Sequence, residues 1–183
     1  MKKTFMLMVV SVLAAAAMMP TKASAQKLGH INSQEIVALM PERDAALKEL
    51  QAFGKELSET ISSMQTDFNT KLQEYNDKKA TWNESIIKTK EDELNSLGQR
   101  IQQFQQTAEQ DFSTRQESLL SPVMKKAQEA IDKVAKAQGI AYVIDLSSGA
   151  VIYIDEANTV NLLPLVKAEL GIPASKTQPT QIQ

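Results

Sequence analysis

From Leu47 the large apolar residues fall at Leu50, Leu57, Ile61, Met64, Phe68, Leu72 and Tyr75, mostly three or four positions apart, with Gly54 in the one weak slot. Steps of that size place them on one stripe of a helix, while Lys48, Glu49, Glu56, Glu59, Asp67 and Lys71 stay wet. So narrow a stripe is a coiled-coil seam and not the broad face of a globular helix. A second seam runs through Leu94, Leu97, Ile101, Phe104, Ala108, Phe112, Leu119, Val123, Ala127, Ala130 and Val134, with Gln99, Gln102, Gln103 and Gln106 outside it. Between the seams, in NDKKATWNES (residues 76 to 85), the apolar period lapses and Asn, Asp and Thr gather. A turn there folds the two helices into an antiparallel pair, each burying the other's stripe. The competing arrangement, one uninterrupted helix in a fibrous coiled coil, would need a seam that continues across this lapse.

Two prolines agree with the fold-back, because Pro41 and Pro122 lie almost equally far from Trp82. Pro41 suits the first position of a helix, whereas Pro122 sits inside an apolar pattern and should bend it by removing a backbone hydrogen bond. Both would mark the base of an arm of ~40 residues, projecting roughly 60 Å at 1.5 Å per residue. Two helices alone enclose little core, so the arm should bend easily. Gly54 and Gly98 add to this at about 1 kcal/mol each relative to Ala.

A period of two appears elsewhere. GIAYVIDLSSGAVIYID (139 to 155) alternates, turns at Ser148 and Gly149, and alternates again. It predicts a β-hairpin with Tyr142, Ile144 and Leu146 on one side and Val151 and Tyr153 on the returning strand. KLGHIN (27 to 32) is a further strand, followed by Asn32 as cap of a short helix with Glu35 three residues on. Asn161 to Leu170 reads as a short amphipathic helix stopped by Gly171 and Pro173. SKTQPTQIQ has almost nothing to bury and reads as disordered.

The resulting fold class is α+β: a long antiparallel helical hairpin on a small sheet-containing body built from both chain ends. The divisions are a leader (1–25), the body's N-terminal strand and short helix (26–44), the arm (45–121), the body's helix base, β-hairpin and C-terminal helix (122–172), and the tail (173–183). Three strands of five or six residues bury too little apolar area to be robust alone. The body should therefore associate with copies of itself, and Tyr142, Val143, Ile144, Val151, Ile152 and Tyr153 are the candidate assembly residues.

Composition changes the picture in two places. The first 25 of the 183 residues carry Lys2 and Lys3, an apolar run from Phe5 to Ala17, and Ala23-Ser24-Ala25 before Gln26. This order is that of a cleaved secretory signal, and the apolar run is short of the ~20 residues that span a bilayer. Removing Lys2, Lys3 and Lys22 from the 20 basic residues leaves 17 against 22 acidic ones. A net charge near −5 argues against nucleic acid as a partner. The chain has no cysteine, hence neither a disulfide framework nor a lipid-bearing Cys. Export without an anchor from a Gram-negative cell points to the periplasm.

Catalytic and metal chemistry find little support. His30 stands alone without cysteine, so no metal cluster and no cofactor is expected. Ser85-Ile-Ile-Lys88 matches S-x-x-K without the partner motifs or walled pocket of serine acyl-transferases. Asn83-Glu84-Ser85 is a formal glycosylation sequon, weak in a bacterial export product. Glu91, Asp92 and Glu93 read as a solvated helix face. No glycine-rich phosphate loop suggests a nucleotide cycle, so an enzyme is not expected.

The order strand, helical hairpin, β-hairpin, short helix behind a signal resembles the Skp/OmpH family of periplasmic chaperones. The local likeness lies in KLGHINSQEIVALMPE, RIQQFQQTAEQDF, LLSPVMKKAQEAIDKVAKAQGIAYVIDLS and LLPLVKAELG. The resemblance implies a homotrimer whose arms enclose unfolded outer-membrane proteins and keep them from aggregating without ATP. Family members are often strongly basic, and this acidic chain departs from them, which speaks against carrying over lipid or lipopolysaccharide binding. A structural coiled-coil tether or adaptor of the envelope is the alternative, although such proteins carry larger β-rich domains. On the arm, residues 71 to 90 hold five lysines against Glu74, Asp77 and Glu84. Lys78, Lys79, Trp82, Ile86 and Ile87 are therefore the candidate client-binding residues, with a staple of Trp82 on Ile86 as the structural alternative.

Overall fold

The computed structural model describes residues 26–177. The leader (1–25) and the last six residues of the tail lie outside the described residues. The chain opens with strand β1 (Leu28–Ile31) and helix α1 (Ser33–Leu39). Asn32 caps α1 by accepting from the Glu35 amide at 3.1 Å. An extended Met40 then separates α1 from α2 (Pro41–Lys78), in which Pro41 stands in the first turn, where its missing N–H costs nothing. After a single 3-10 turn, Lys79–Thr81, the extended Trp82 reverses the chain into α3 (Glu84–Ala137). The sequon asparagine, Asn83, is the cap of α3, accepting from the Ile86 amide at 3.0 Å.

With 38 residues, α2 extends for about 57 Å. It runs antiparallel to α3, which rules out the uninterrupted fibre. Ion pairs cross between the helices at Glu42–Lys126, Glu49–Arg115 and, at 2.6 Å, Lys71–Glu93. In the arm the seam is thin: Leu57, Ile61, Met64, Phe68, Ile101 and Phe104 are only half-buried, and Leu97 and Ala108 are the buried residues of its α3 half. α3 continues through Pro122, which lies beside Ala45, Ala46 and Glu49 of α2, about a turn or more above Pro41.

The two arm glycines are not equivalent. A Cβ on Gly54 would sit 3.1 Å from the Phe112 ring, whereas one on Gly98 would meet the Phe68 ring at an ordinary 3.9 Å. Gly54 is thus the hole into which Phe112 packs. Gly98→Ala is expected to raise stability by about 0.5 to 1 kcal/mol through helix propensity. Gly54→Ala should bring no gain, because displacing the ring costs about as much or more. Thermal melting followed by helical circular dichroism separates them, and equal stabilisation by both would contradict the Phe112 contact.

Below the arm, α3 enters the body. It ends at Gly139, whose φ of 63° allows a tight exit, with Ile140 N–H donating to Ala135 and Gly139 N–H to Lys136. β2 (Tyr142–Asp145) follows, and after a 3-10 turn (Leu146–Ser148) and an extended loop come β3 (Thr159–Asn161) and α4 (Leu163–Glu169). The sheet has the order β2-β1-β3 and both pairings are parallel, with Leu28 opposite Tyr142 on one side and Thr159 on the other.

This corrects the expected β-hairpin. Val151 to Asp155 belongs to no strand, and β3 is formed later in the chain. The cause lies at Asp145, whose carboxylate accepts from the Ser33 amide at 3.1 Å, the Ser33 hydroxyl at 2.5 Å and the Ser147 amide at 2.9 Å. These bonds draw the end of β2 toward α1 instead of back along itself. Burial alone would push the Asp145 carboxyl up, but the hydrogen bonds from Ser33 and Ser147 outweigh it and hold its pKa below the usual aspartate range. On β2, Val143 packs toward the core and Tyr142 is exposed.

The core joins β1 (Ile31), α1 (Ile36, Leu39), Met40, α4 with its preceding Leu162, and the small-residue face of α3 at Val123, Ala127, Ala130 and Val134. Gly29 allows the close approach, since a Cβ there would meet Ile140 and Leu162 at 3.1 to 3.3 Å. His30 is buried, with Nδ1 3.0 Å from the Thr159 hydroxyl. That hydroxyl donates to the Asp155 carbonyl at 2.8 Å, so the hydrogen between the pair belongs to Nδ1. The histidine thereby ties β1 to β3.

The tail also departs from expectation at its start. Residues 173–177, read as disordered, lie against the body, where the ammonium of Lys167 donates to the carbonyls of Ala174 and Lys176.

Candidate functional site

Two surfaces collect the candidate residues. At the tip, the turn stands on Tyr75: its ring lies 6.2 Å from that of Trp82 at 56°, and the Lys79 ammonium sits 5.6 Å from its centre. The Tyr75 hydroxyl donates to Glu91 across the arm at 2.5 Å, and that bond holds its phenol above the usual range. Trp82 therefore packs on Tyr75, and Ile86, its partner in the alternative staple, is left 41% exposed.

The lysines differ in their freedom. Lys78 pairs with Glu74 at 2.9 Å, while Lys71 at 2.6 Å and Lys90 at 3.5 Å converge on Glu93. The hydrogen bond from Lys71 keeps the Glu93 carboxyl below the usual glutamate range. The tip is thus an aromatic turn with charged pairs along its sides. Lys79, Trp82, Ile86 and Ile87 adjoin along the turn and the first turn of α3, and Ile87 is half-buried. Such a surface offers flat apolar and cationic contact without an enclosing wall.

The second surface is on the body. Ile152 is 101% exposed and Tyr153 81%, on a segment outside the sheet. Tyr142 is exposed on β2, an edge strand, while Val143, Ile144 and Val151 are half-buried. The six candidate assembly residues thus divide into three that point outward and three that are partly covered by the chain itself. The sequence reading missed Met124, 62% exposed, and Leu120, which line one open groove on α3 with Gln116, Ser121 and Gln128. Their signal was present, because Leu120 and Met124 are four apart and off the seam, and so mark a second apolar stripe.

A slender two-helix arm on a small parallel-sheet body, with contact groups on open surfaces, defines a coiled-coil hairpin protein of the α+β class. The chain matches the family described as Outer membrane protein (OmpH-like) over residues 27–170, and it belongs to that family. It is 25% identical over 137 residues to the chaperone protein Skp of Vibrio cholerae, a match covering 75% of this chain and 81% of that one. With the chaperone protein Skp of Photorhabdus laumondii it shares 28% over 144 residues, 79% of this chain and 87% of the other. A crystal structure from Caulobacter crescentus, described as an outer membrane chaperone (OmpH-like), superposes with a TM-score of 0.68 at 15% identity, covering 87% of this chain and 95% of that chain. That structural likeness concerns the fold alone. The family consists of chaperones, not enzymes.

Proposed function

We propose that the chain is an ATP-independent holdase of the periplasm that binds unfolded outer-membrane proteins between helical arms and prevents their aggregation. The observation that carries this reading is the arm: a long projection whose apolar residues are half-buried at most positions, beside exposed apolar groups and no enclosed site of its own. Contacts on such a surface are individually weak and non-directional, which suits a partner without fixed structure. Many at once retain a client through effective concentration, yet each can let go. The relatives named Skp support the chaperone reading.

Self-association supplies the remaining element. Tyr142, Ile152 and Tyr153 would meet a second copy, with Val143, Ile144 and Val151 supporting them from beneath, and a trimer would set three arms around one cavity. The net acidity of the exported chain disfavours anionic lipid as a partner. Lys78, Lys79, Trp82, Ile86 and Ile87 are assigned to client contact.

Trp82→Ala together with Ile86→Ser is expected to weaken binding of a labelled, urea-unfolded outer-membrane β-barrel about five- to tenfold, because two of several summed contacts are lost. Fluorescence anisotropy at fixed ionic strength reads the change. Unchanged affinity would remove the tip from the client surface, and no binding by the native chain would remove the holdase reading.

A further inference from the structure

The family match stops at residue 170, but the ordered contacts do not. α4 closes with Gly171 at a φ of 68°, its N–H donating to Ala168 at 3.1 Å and that of Ile172 to Lys167 at 2.8 Å. This pattern satisfies two orphan carbonyls and aims the following chain back along the helix. Ile172 is then buried in the core, and Pro173 to Lys176 make one further turn closed by Lys176 N–H to the Pro173 carbonyl at 3.0 Å.

At the centre of this turn is Lys167, only 8% exposed. Its ammonium donates to the carbonyls of Ala174 and Lys176, both at 2.7 Å, and its hydrogen bonds among the described residues are these two. A covered ammonium is costly unless its donors are satisfied, and bonds from a charged donor are stronger than neutral ones. The two carbonyls meet that need, so lysine and tail hold each other. The tail's course carries the Lys176 ammonium to 3.6 Å from Asp44, on the first turn of α2.

We infer that residues 173–177 form a strap that holds the root of the arm's first helix against the body. α3 passes from arm to body without interruption, whereas the covalent link of α2 to the body is the extended Met40, and its other ties there are side-chain contacts such as Glu42–Lys126. A helix so attached can shift about Met40 as far as those side-chain contacts give. The strap bridges from α4 to Asp44, beyond that link, and confines bending to the arm above it. This assignment stands whether or not the chain binds clients.

Hydrogen exchange of the full exported chain in its native assembly tests it, with residues 41–50 as the root and 127–135 as the core. A chain ending after Ile172 is expected to exchange about fivefold faster at the root and unchanged at the core. Lys167→Met, which keeps the apolar stem and removes the donors, should do the same. A chain ending after Thr177 should match the native one. Native-like exchange at the root in the first two variants would overturn the strap. So would equal acceleration of root and core, which would make the segment ordinary core packing, or a loss in the chain ending after Thr177, which would place the effect in residues 178–183.

Discussion

Ile152→Asp combined with Tyr153→Asp is expected to break the proposed assembly into single chains, with the affinity between copies falling about a thousandfold or more. Both side chains stand in solvent on a segment that pairs with no strand among the described residues. Covering a large apolar side chain contributes about 1.5 to 3 kcal/mol, so two per contact contribute roughly 3 to 6 kcal/mol. Placing carboxylates there adds a desolvation penalty with no partner to offset it. Since neither side chain takes part in the core, the helical content and melting of the separate chains should stay close to native. Sedimentation at micromolar concentration reads the result. A mass unchanged by the double substitution would show that copies meet through another face.

Leu162→Ala is expected to cost about 3 to 4 kcal/mol, a large fraction of what so small a body can hold. Leu162 is fully buried, its amide donates to the His30 carbonyl at 2.9 Å, and its methyl group lies against Gly29. It therefore sits where β1, β3 and α4 meet. Truncation leaves a cavity that the close approach at Gly29 cannot fill by collapse, because backbone already occupies one side. Leu72→Ala, on the arm and 37% exposed, should cost less than about 1 kcal/mol. Urea unfolding of both variants provides the comparison, and similar losses would mean that arm and body share one cooperative unit instead of a tight knob bearing a loose rod.

The difference between those two substitutions follows from what the sequence could display. The arm was legible because its signal is repeated: Leu50 through Tyr75 and Leu94 through Val134 state the same period many times, and the lapse at residues 76 to 85 marks the turn. Capping at Asn32 and Pro41 was legible because the relevant contacts are local. The sheet was not. Its strands have three or four residues, too few to display alternation, and β1 meets partners more than a hundred residues away. VIYI carries a genuine strand pattern, yet no strand among the described residues receives it, so alternation alone suggested a hairpin that Asp145 prevents by bonding to Ser33.

The surfaces divide in the same way. Trp82 and the lysines stood out as a local bias, but Tyr75 as the support of the turn depends on the register of α2 against α3. Met124 was hidden by the stronger seam residue beside it, Val123. Lys167 gave no sign of burial, since a lysine on a short amphipathic helix ordinarily faces water, and its partners are backbone carbonyls that leave no mark in composition.

Light scattering of an unfolded client tests the central claim most directly. A urea-unfolded outer-membrane β-barrel protein is diluted into buffer containing the chain from Gln26 onward and no nucleotide. The account predicts that scattering is suppressed at about one assembly per client, that adding ATP changes nothing, and that the Ile152→Asp, Tyr153→Asp chain loses most of the effect. Scattering that rises as fast with the native chain as without it, or that falls only when nucleotide is supplied, would contradict a holdase built from arms on a shared body.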